Sequence, residues 1–145
     1  MSVKDLVVVG IGSSAGGLEA LQVMLSKLSE NLNCSYIIAQ HLSPTHRSMM
    51  VDLLSRITNI PVIEVQNGMV IKAKTIYMTP ENTDIFISNG RIYLKSIEHT
   101  YGPKPSVNYF FNSLAQSYGS KSIGIILSGT GSDGAFGIRA IKASG

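Results

Sequence analysis

Short apolar runs alternate with amphipathic stretches along this chain. The runs are rich in Val, Ile and Tyr and have the length of buried strands, whereas the stretches between them repeat apolar residues at helical spacing. Strands are predicted at about 6–10, 35–40, 61–65, 75–79, 84–88, 91–95 and 122–127, and helices at about 18–28, 46–57, 106–118 and 135–144. Strands that alternate with helices predict an α/β fold, built on a mostly parallel sheet that is covered on both faces.

The two strands at 84–88 and 91–95 form a different unit. Asn89-Gly90 separates them, and this dipeptide is typical of the tight turn of a β-hairpin. We therefore predict an antiparallel hairpin inserted into the parallel sheet.

Composition narrows the class of protein. The 145 residues suffice for one domain with its own core, and 44% hydrophobic against 14% charged residues indicates a globular chain. The 12 basic residues are scattered and the net charge is only +3, so no nucleic-acid partner is expected. No apolar segment approaches the ~20 residues of a membrane span, so no direct membrane insertion is expected. Cys34 is the one cysteine, which suits a reducing compartment, and we expect a cytoplasmic domain. We expect Cys34 itself to be a buried residue just before a strand.

The first strand runs into a stretch rich in Gly and Ser that fits two chemistries. We predict that this strand ends at Gly10 and that a tight turn leads to the first helix. Gly10-x-Gly12-x-x-Ala15 is a variant of the dinucleotide-binding fingerprint. Gly12-x-Ser14-x-Gly16 matches a nucleophile elbow, in which a sharp turn lifts a serine hydroxyl out of the backbone.

Three polar residues follow the ends of three predicted strands: Ser14, His41 and Asp133. Ligands of parallel α/β folds bind beyond the carboxyl ends of the strands, so we expect these side chains to share one site. Histidine is the usual base for a serine nucleophile, and an aspartate orients the histidine and stabilises its charged form. The three residues are therefore predicted to be a catalytic triad.

Each of these residues also has a simpler interpretation. Ser14 fits an ordinary turn residue, His41 an inert loop histidine, and Asp133 the N-cap of the last helix. Their coincidence at three strand ends is what favours catalysis. His41 has no nearby Cys or acidic residue at metal-ligand spacing, so no metal site is expected.

Two other classes of α/β protein fit the sequence less well. A dinucleotide-binding fold expects an acidic residue at the end of its second strand, where this chain has Gln40-His41 without a carboxylate. An α/β-hydrolase has its triad in the order serine, acid, histidine. That order would require Ser14, Asp84 and His99, and Asp84 starts the predicted hairpin.

Backbone N–H groups beside such a triad would stabilise an oxyanion. The glycine-rich segment around Asp133 offers such groups, with Thr130 as a candidate donor and Gly131 beside it. Ala15 and Gly16, which follow the serine directly, are assigned to the support of the same site.

Four stretches between residues 6 and 145 carry a specific resemblance when they are taken together. They are Ile11-Gly-Ser-Ser14-Ala-Gly-Gly17, Gln40-His41-Leu-Ser-Pro44, Pro105-Ser106-Val107 followed by Phe110-Phe111, and Ile126-Leu-Ser-Gly-Thr-Gly-Ser-Asp133-Gly134-Ala. In this order and spacing the sequence resembles the catalytic domain of chemotaxis-type protein-glutamate methylesterases, the CheB family. Ala15 and Asn108 depart from the family's pattern, in which threonine and aspartate are common at these positions.

The resemblance implies a Rossmann-like, doubly wound fold over residues 1–145 and no metal or organic cofactor. It also implies a serine esterase that hydrolyses glutamyl methyl esters on a methylated, chemoreceptor-like protein, with deamidation of glutamine as a related activity. The family's catalytic serine, histidine and aspartate fall on Ser14, His41 and Asp133. The alternative is a non-catalytic domain that binds protein or small anions through its Gly-rich turns.

The resemblance further leads to expectations about the natural chain. The best-known family members carry a receiver domain before this one, and the first strand here leaves no room for it within residues 1–145. The family's domains continue for a further strand and helix, so we expect the 145 residues to be truncated at the C-terminus. Relatives that begin in this way are often fused to a receptor methyltransferase and sensor modules, and we expect such a fusion here.

Overall fold

The computed structural model describes residues 6–13, 18–40, 50–80, 83–96, 107–127 and 135–145. Its strands are β1 (Val7–Ser13), β2 (Cys34–Gln40), β3 (Val62–Glu64), β4 (Met69–Val70), β5 (Thr75–Met78), β6 (Thr83–Ser88), β7 (Arg91–Ser96) and β8 (Ser122–Leu127). Its α-helices are α1 (Leu18–Ser26), α2 (Met50–Ser55), α3 (Val107–Tyr118) and α4 (Ala135–Ala143). A short 3₁₀ turn, Gly119–Lys121, joins α3 to β8.

The main sheet has five parallel strands in the order β3-β5-β2-β1-β8. Apolar side chains that alternate along β1 and β2 bury opposite faces, because successive residues of a strand point to opposite sides. Val9 and Ile11 pack with residues of α1 and α2, whereas Val8 packs with residues of α3 and the antiparallel strands. The predicted α/β fold, with a parallel sheet between two apolar layers, is confirmed.

A second sheet is antiparallel, with three strands in the order β4-β7-β6. Asn89 and Gly90 both adopt positive φ angles, 52° and 73°, as a tight hairpin turn of two residues requires. The predicted hairpin is therefore confirmed. β4 was not predicted, because its two residues become a strand only through their pairing with β7.

Helix α3 joins the two sheets. Its buried stripe is Val107, Phe110, Phe111 and Leu114, as the apolar spacing predicts. On its flank, Ser113 and Ser117 bind the backbone of Ile87 in β6: the Ile87 N–H donates to Ser113 Oγ at 2.9 Å, and the Ser117 hydroxyl donates to the Ile87 carbonyl at 2.9 Å. The helix thereby covers the edge of β6, whose backbone groups would otherwise lack a strand partner.

The end of β1 differs from the prediction. The strand does not stop at Gly10 but continues through Gly12 to Ser13, paired with β2 on one side and β8 on the other. Glycine is unfavourable in a strand unless something approaches closely. Here α3 does, so both glycines belong to the strand rather than to a turn.

Smaller differences concern the limits of helices and the burial of single residues. Helix α2 ends at Ser55 rather than at residue 57, and residues 46–49 of the predicted helix lie outside the described ranges. Cys34 is the first residue of β2 and is half-buried, not fully buried before the strand. None of the described helices is long and apolar enough to span a bilayer.

Strand β8 is more exposed than its apolar sequence suggests. Ile123 and Ile126 are 45% and 37% exposed. The reason is position, since β8 is the outermost strand on its side of the sheet within the described residues. Apolar composition alone does not distinguish an edge strand from a central one.

Candidate active site

Three parallel strands end at one level of the main sheet. Ser13, the last residue of β1, is paired with Gln40 of β2 and with Leu127 of β8, and these are also the last residues of their strands. Ser14 and His41 follow directly in the sequence, and Asp133 belongs to the segment that follows β8. The three strands that precede the predicted triad residues are thus neighbours, and their last residues are in register.

The predicted site residues themselves lie outside the described part of the chain. They are Ser14, Ala15, Gly16, His41, Thr130, Gly131 and Asp133. The catalytic triad and its oxyanion donors therefore stay predictions. His99, a member of the alternative triad, also lies outside the described ranges, whereas Asp84 is a buried residue of β6 opposite Lys95 in the antiparallel sheet.

The glycines of the opening motif have a packing role. A Cβ atom on Gly12 would lie 2.7 Å from Val107 Cγ1, and one on Gly10 would lie 2.9 Å from both Leu114 Cδ2 and Phe111 Cε1. Contacts this short do not occur between real side chains, so only glycine lets α3 pack so closely on β1. The glycine pattern that suggested dinucleotide binding is thereby explained without a phosphate.

The same contacts give the direction of α3. Val107, its first residue, lies against Gly12 near the end of β1, whereas Leu114 lies against Gly10. The helix therefore begins at the carboxyl edge of the sheet and runs back along β1. The positive end of its dipole favours negative charge at that edge. Asn108, where the family often has aspartate, is the second residue of this helix.

One polar residue at this edge was not singled out by sequence reasoning. Thr79 follows β5 and is 7% exposed. Its hydroxyl donates to the Ile38 carbonyl of β2 at 2.8 Å, and its backbone N–H donates to the same oxygen at 3.1 Å. This double contact ties β5 to β2 just before β2 ends. The sequence signal that could have identified Thr79 is its position between a predicted strand and Pro80.

The shifted pKa values in the described ranges belong to two tyrosines, Tyr36 in the core and Tyr118, which is half-buried against it. Burial raises the pKa of the Tyr36 phenol, and the neighbouring Cys34 raises it further. Burial also raises the pKa of Tyr118, with a smaller contribution from Tyr77. Tyr36 lies near the middle of β2 and Tyr118 ends α3, so neither is at the strand ends.

An open polar groove of roughly 380 Å³ lies at the other end of the sheet. Residues that follow α1 and α2 line it, among them Asn31 and Arg56. The Asn33 carbonyl accepts a hydrogen bond from the N–H of Val7, the first residue of β1, which locates this region at the amino ends of the strands. The groove is therefore remote from the candidate site. No group of three or more His, Cys, Asp or Glu residues in the described ranges is arranged to hold a metal ion.

A family model described as CheB methylesterase matches residues 9–145. The chain belongs to the CheB methylesterase family. The match includes all four sequence stretches that carried the resemblance, and the family assignment made from the sequence is confirmed.

Named relatives agree with this assignment. "Protein-glutamate methylesterase/protein-glutamine glutaminase 1" of Syntrophus aciditrophicus is 34% identical over 143 residues, which are 98% of this chain and 41% of that protein. A relative from Archaeoglobus fulgidus, named "Protein-glutamate methylesterase/protein-glutamine glutaminase", is 32% identical over 146 residues and is covered over 42% of its length. The chain thus spans about two fifths of these relatives.

A solved structure has the same fold. The crystal structure of the Thermotoga maritima CheB methylesterase catalytic domain superimposes with a TM-score of 0.85 at 27% identity. The superposition covers 96% of this chain and 76% of that domain. The CheB-like arrangement of a parallel sheet and an antiparallel sheet is confirmed by this likeness.

Proposed function

We propose that this domain is a serine esterase that hydrolyses glutamyl γ-methyl esters on a methylated chemoreceptor-like protein. Ser14 Oγ attacks the ester carbonyl while His41 takes the serine proton. The tetrahedral intermediate collapses, the bond to the methoxy oxygen breaks, and His41 returns the proton to give methanol. Water then attacks the acyl-enzyme with His41 again as base, which restores Ser14 and releases glutamate.

In this proposal Asp133 accepts a hydrogen bond from the imidazole of His41. It holds the histidine in the tautomer that presents a free nitrogen to Ser14, and its charge stabilises the imidazolium form. Backbone N–H groups near Thr130 and Gly131 stabilise the oxyanion. Ala15 and Gly16 support the turn that carries the serine.

The observation that carries the proposal is the pairing of Ser13 with both Gln40 and Leu127. The chain leaves the sheet from these three positions at one edge, and each of the proposed catalytic residues belongs to one of the three segments that follow. Family membership supports the same reaction, and the names of the relatives join a methylesterase with a glutaminase. Deamidation of glutamine would pass through the same acyl-enzyme, with ammonia in place of methanol as the leaving group.

The wider setting is also part of the proposal. A cytoplasmic location and a methylated receptor as partner follow from the proposed reaction. A fused receptor methyltransferase and sensor modules remain predictions for the natural chain, as does the assignment of residues 1–145 to a single CheB-type catalytic domain.

A serine-reactive fluorophosphonate and a methylated receptor test the proposal together. Wild type should take up one phosphonate, which peptide mass spectrometry should locate on Ser14, and should release methanol from the receptor. Ser14→Ala and His41→Ala should lose methanol release while their circular dichroism spectra stay unchanged. Ser13→Ala is the matched control, because Ser13 is a buried strand residue, and it should still be labelled at Ser14. A folded wild type that neither reacts nor releases methanol would instead support a non-catalytic binding domain.

A further inference from the structure

The contact between Gly12 and Val107 is the part of the α3–β1 interface closest to the proposed nucleophile. Gly12 precedes Ser14 by two residues, a span of at most about 7 Å along an extended chain. A Cβ on Gly12 would lie 2.7 Å and 2.9 Å from the two Cγ atoms of Val107. Val107 thus occupies the space into which any side chain at position 12 would project.

The Val107 side chain is well suited to hold a fixed position. It is 3% exposed and stands at the first residue of α3. A β-branched side chain is restricted at χ1, so its two methyl groups form a stiff surface. Phe111 and Leu114 continue the contact against Gly10, which fixes the helix along the strand.

Neither partner has room to move away from this contact. On the other face of β1, Ile11 is fully buried in the cluster formed with α1 and α2. On the flank of α3, Ser113 and Ser117 hydrogen-bond to Ile87 of the antiparallel sheet. The end of β1 is therefore held between two layers, with Val107 as the last contact on the α3 side.

We infer that Val107 is a positioning residue for Ser14: it fixes the backbone at Gly12 and so sets where the turn after β1 presents the serine. The inference rests on the function proposed above. It gives α3 and the antiparallel sheet a role in catalysis, because the sheet supports the helix whose first residue presses on the nucleophile strand. Small misplacements of a reacting group cost rate without changing the chemistry, and a shift of about 1 Å costs about 100-fold.

Two substitutions should act in opposite ways on this contact. Gly12→Ala introduces a methyl group into the Val107 side chain, displaces the end of β1, and should lower kcat about 100-fold with little change in KM. Val107→Ala removes the two methyl groups in question. The double variant Gly12→Ala/Val107→Ala should then recover most of the kcat lost in Gly12→Ala, because the new methyl group occupies the vacated space.

Matched variants distinguish an effect on the position of Ser14, which changes kcat, from an effect on stability, which changes Tm. Gly10→Ala places the same methyl group on the same strand against the same helix, but two residues further from Ser14. It should lower Tm, and it should lower kcat per folded molecule much less than Gly12→Ala does. Val107→Thr keeps the branched shape and should retain kcat, although its buried hydroxyl lowers Tm. Val107→Ala should lower kcat by about tenfold and should also lower Tm.

The measurements are kcat and KM for methanol release, the rate of phosphonate labelling, and Tm for each variant. The inference is overturned if Gly10→Ala and Gly12→Ala lower kcat equally, or if the double variant is no faster than Gly12→Ala. If Gly12→Ala does not fold, the comparison of Val107→Ala with Val107→Thr decides, and equal kcat values in these two would overturn the inference. A wild type that is inert in both assays would overturn the proposed function and this inference with it, whereas an active wild type leaves the variants to judge the inference alone.

Discussion

Ser13 and Gln40 are paired as the last residues of two adjacent parallel strands, and the residues proposed as nucleophile and base follow each of them directly. This register is a consequence of the fold and not of any local motif. Parallel strands that are joined by helices all leave the sheet at the same edge, so segments from distant parts of the sequence begin side by side there. Asp133 belongs to the third of these segments and also fits a simple helix cap, so its substitution is the sharpest test of the triad.

Asp133→Asn should lower kcat by about 10⁴-fold if Asp133 orients His41 as the aspartate of a serine protease orients its histidine. Asparagine keeps the size of the side chain but presents an amide that favours the wrong tautomer. The measurement is steady-state methanol release from a methylated receptor. Since asparagine also caps helices well, stability should change little. Full activity in Asp133→Asn would reduce Asp133 to a helix cap.

Thr79→Val should destabilise the protein by about 1 kcal/mol. The substitution keeps the shape of a buried side chain and removes the hydroxyl that donates to the Ile38 carbonyl at 2.8 Å. Urea unfolding measures the change in free energy. Thr79→Ser keeps the hydroxyl and is the control, so it should remain closer to wild type than Thr79→Val. Equal stabilities of wild type and Thr79→Val would show that the backbone N–H of Thr79 suffices to satisfy this carbonyl.

The parts of the fold that the sequence predicts are those with local causes. The hairpin was predicted because Asn89 and Gly90 themselves adopt the positive φ angles that the turn needs. The end of β1 was not, because the place of Gly12 in the strand depends on Val107, which is far away in sequence. Strand β4 depends in the same way on its partner β7.

For the candidate site, the sequence predicts that its residues follow strands that end at one edge of the sheet, and the pairing of Ser13 with Gln40 shows that two of these strands end at the same level. Periodicity locates strands, and parallel strands share one carboxyl edge, so the inference needs no tertiary detail. Supporting contacts such as that of Thr79 with Ile38 arise only once β5 lies beside β2. The arrangement of the triad side chains stays a prediction, which the activity measurements are designed to test.

Ser35→Ala should stabilise the protein by about 1 kcal/mol. The Ser35 hydroxyl is fully buried and has no hydrogen-bond partner, so its desolvation is uncompensated. Ser122→Ala is the matched control, since Ser35 and Ser122 flank Val8 from the two neighbouring strands. The Ser122 hydroxyl donates to the Gly119 carbonyl at 2.6 Å, so its removal should instead destabilise. Urea unfolding of both variants gives the two signs, and a loss of stability in Ser35→Ala would contradict the prediction.

Substrate length should distinguish this domain from an esterase for fatty-acyl chains. The proposed substrate is a side chain on a folded protein, which requires an open cleft, whereas a long alkyl chain requires an extended apolar wall. We expect methanol release from a methylated receptor and slow hydrolysis of p-nitrophenyl acetate, both lost in Ser14→Ala, and negligible hydrolysis of p-nitrophenyl palmitate. Rapid cleavage of the palmitate ester without methanol release from the receptor would contradict the assigned substrate class while leaving the serine chemistry intact.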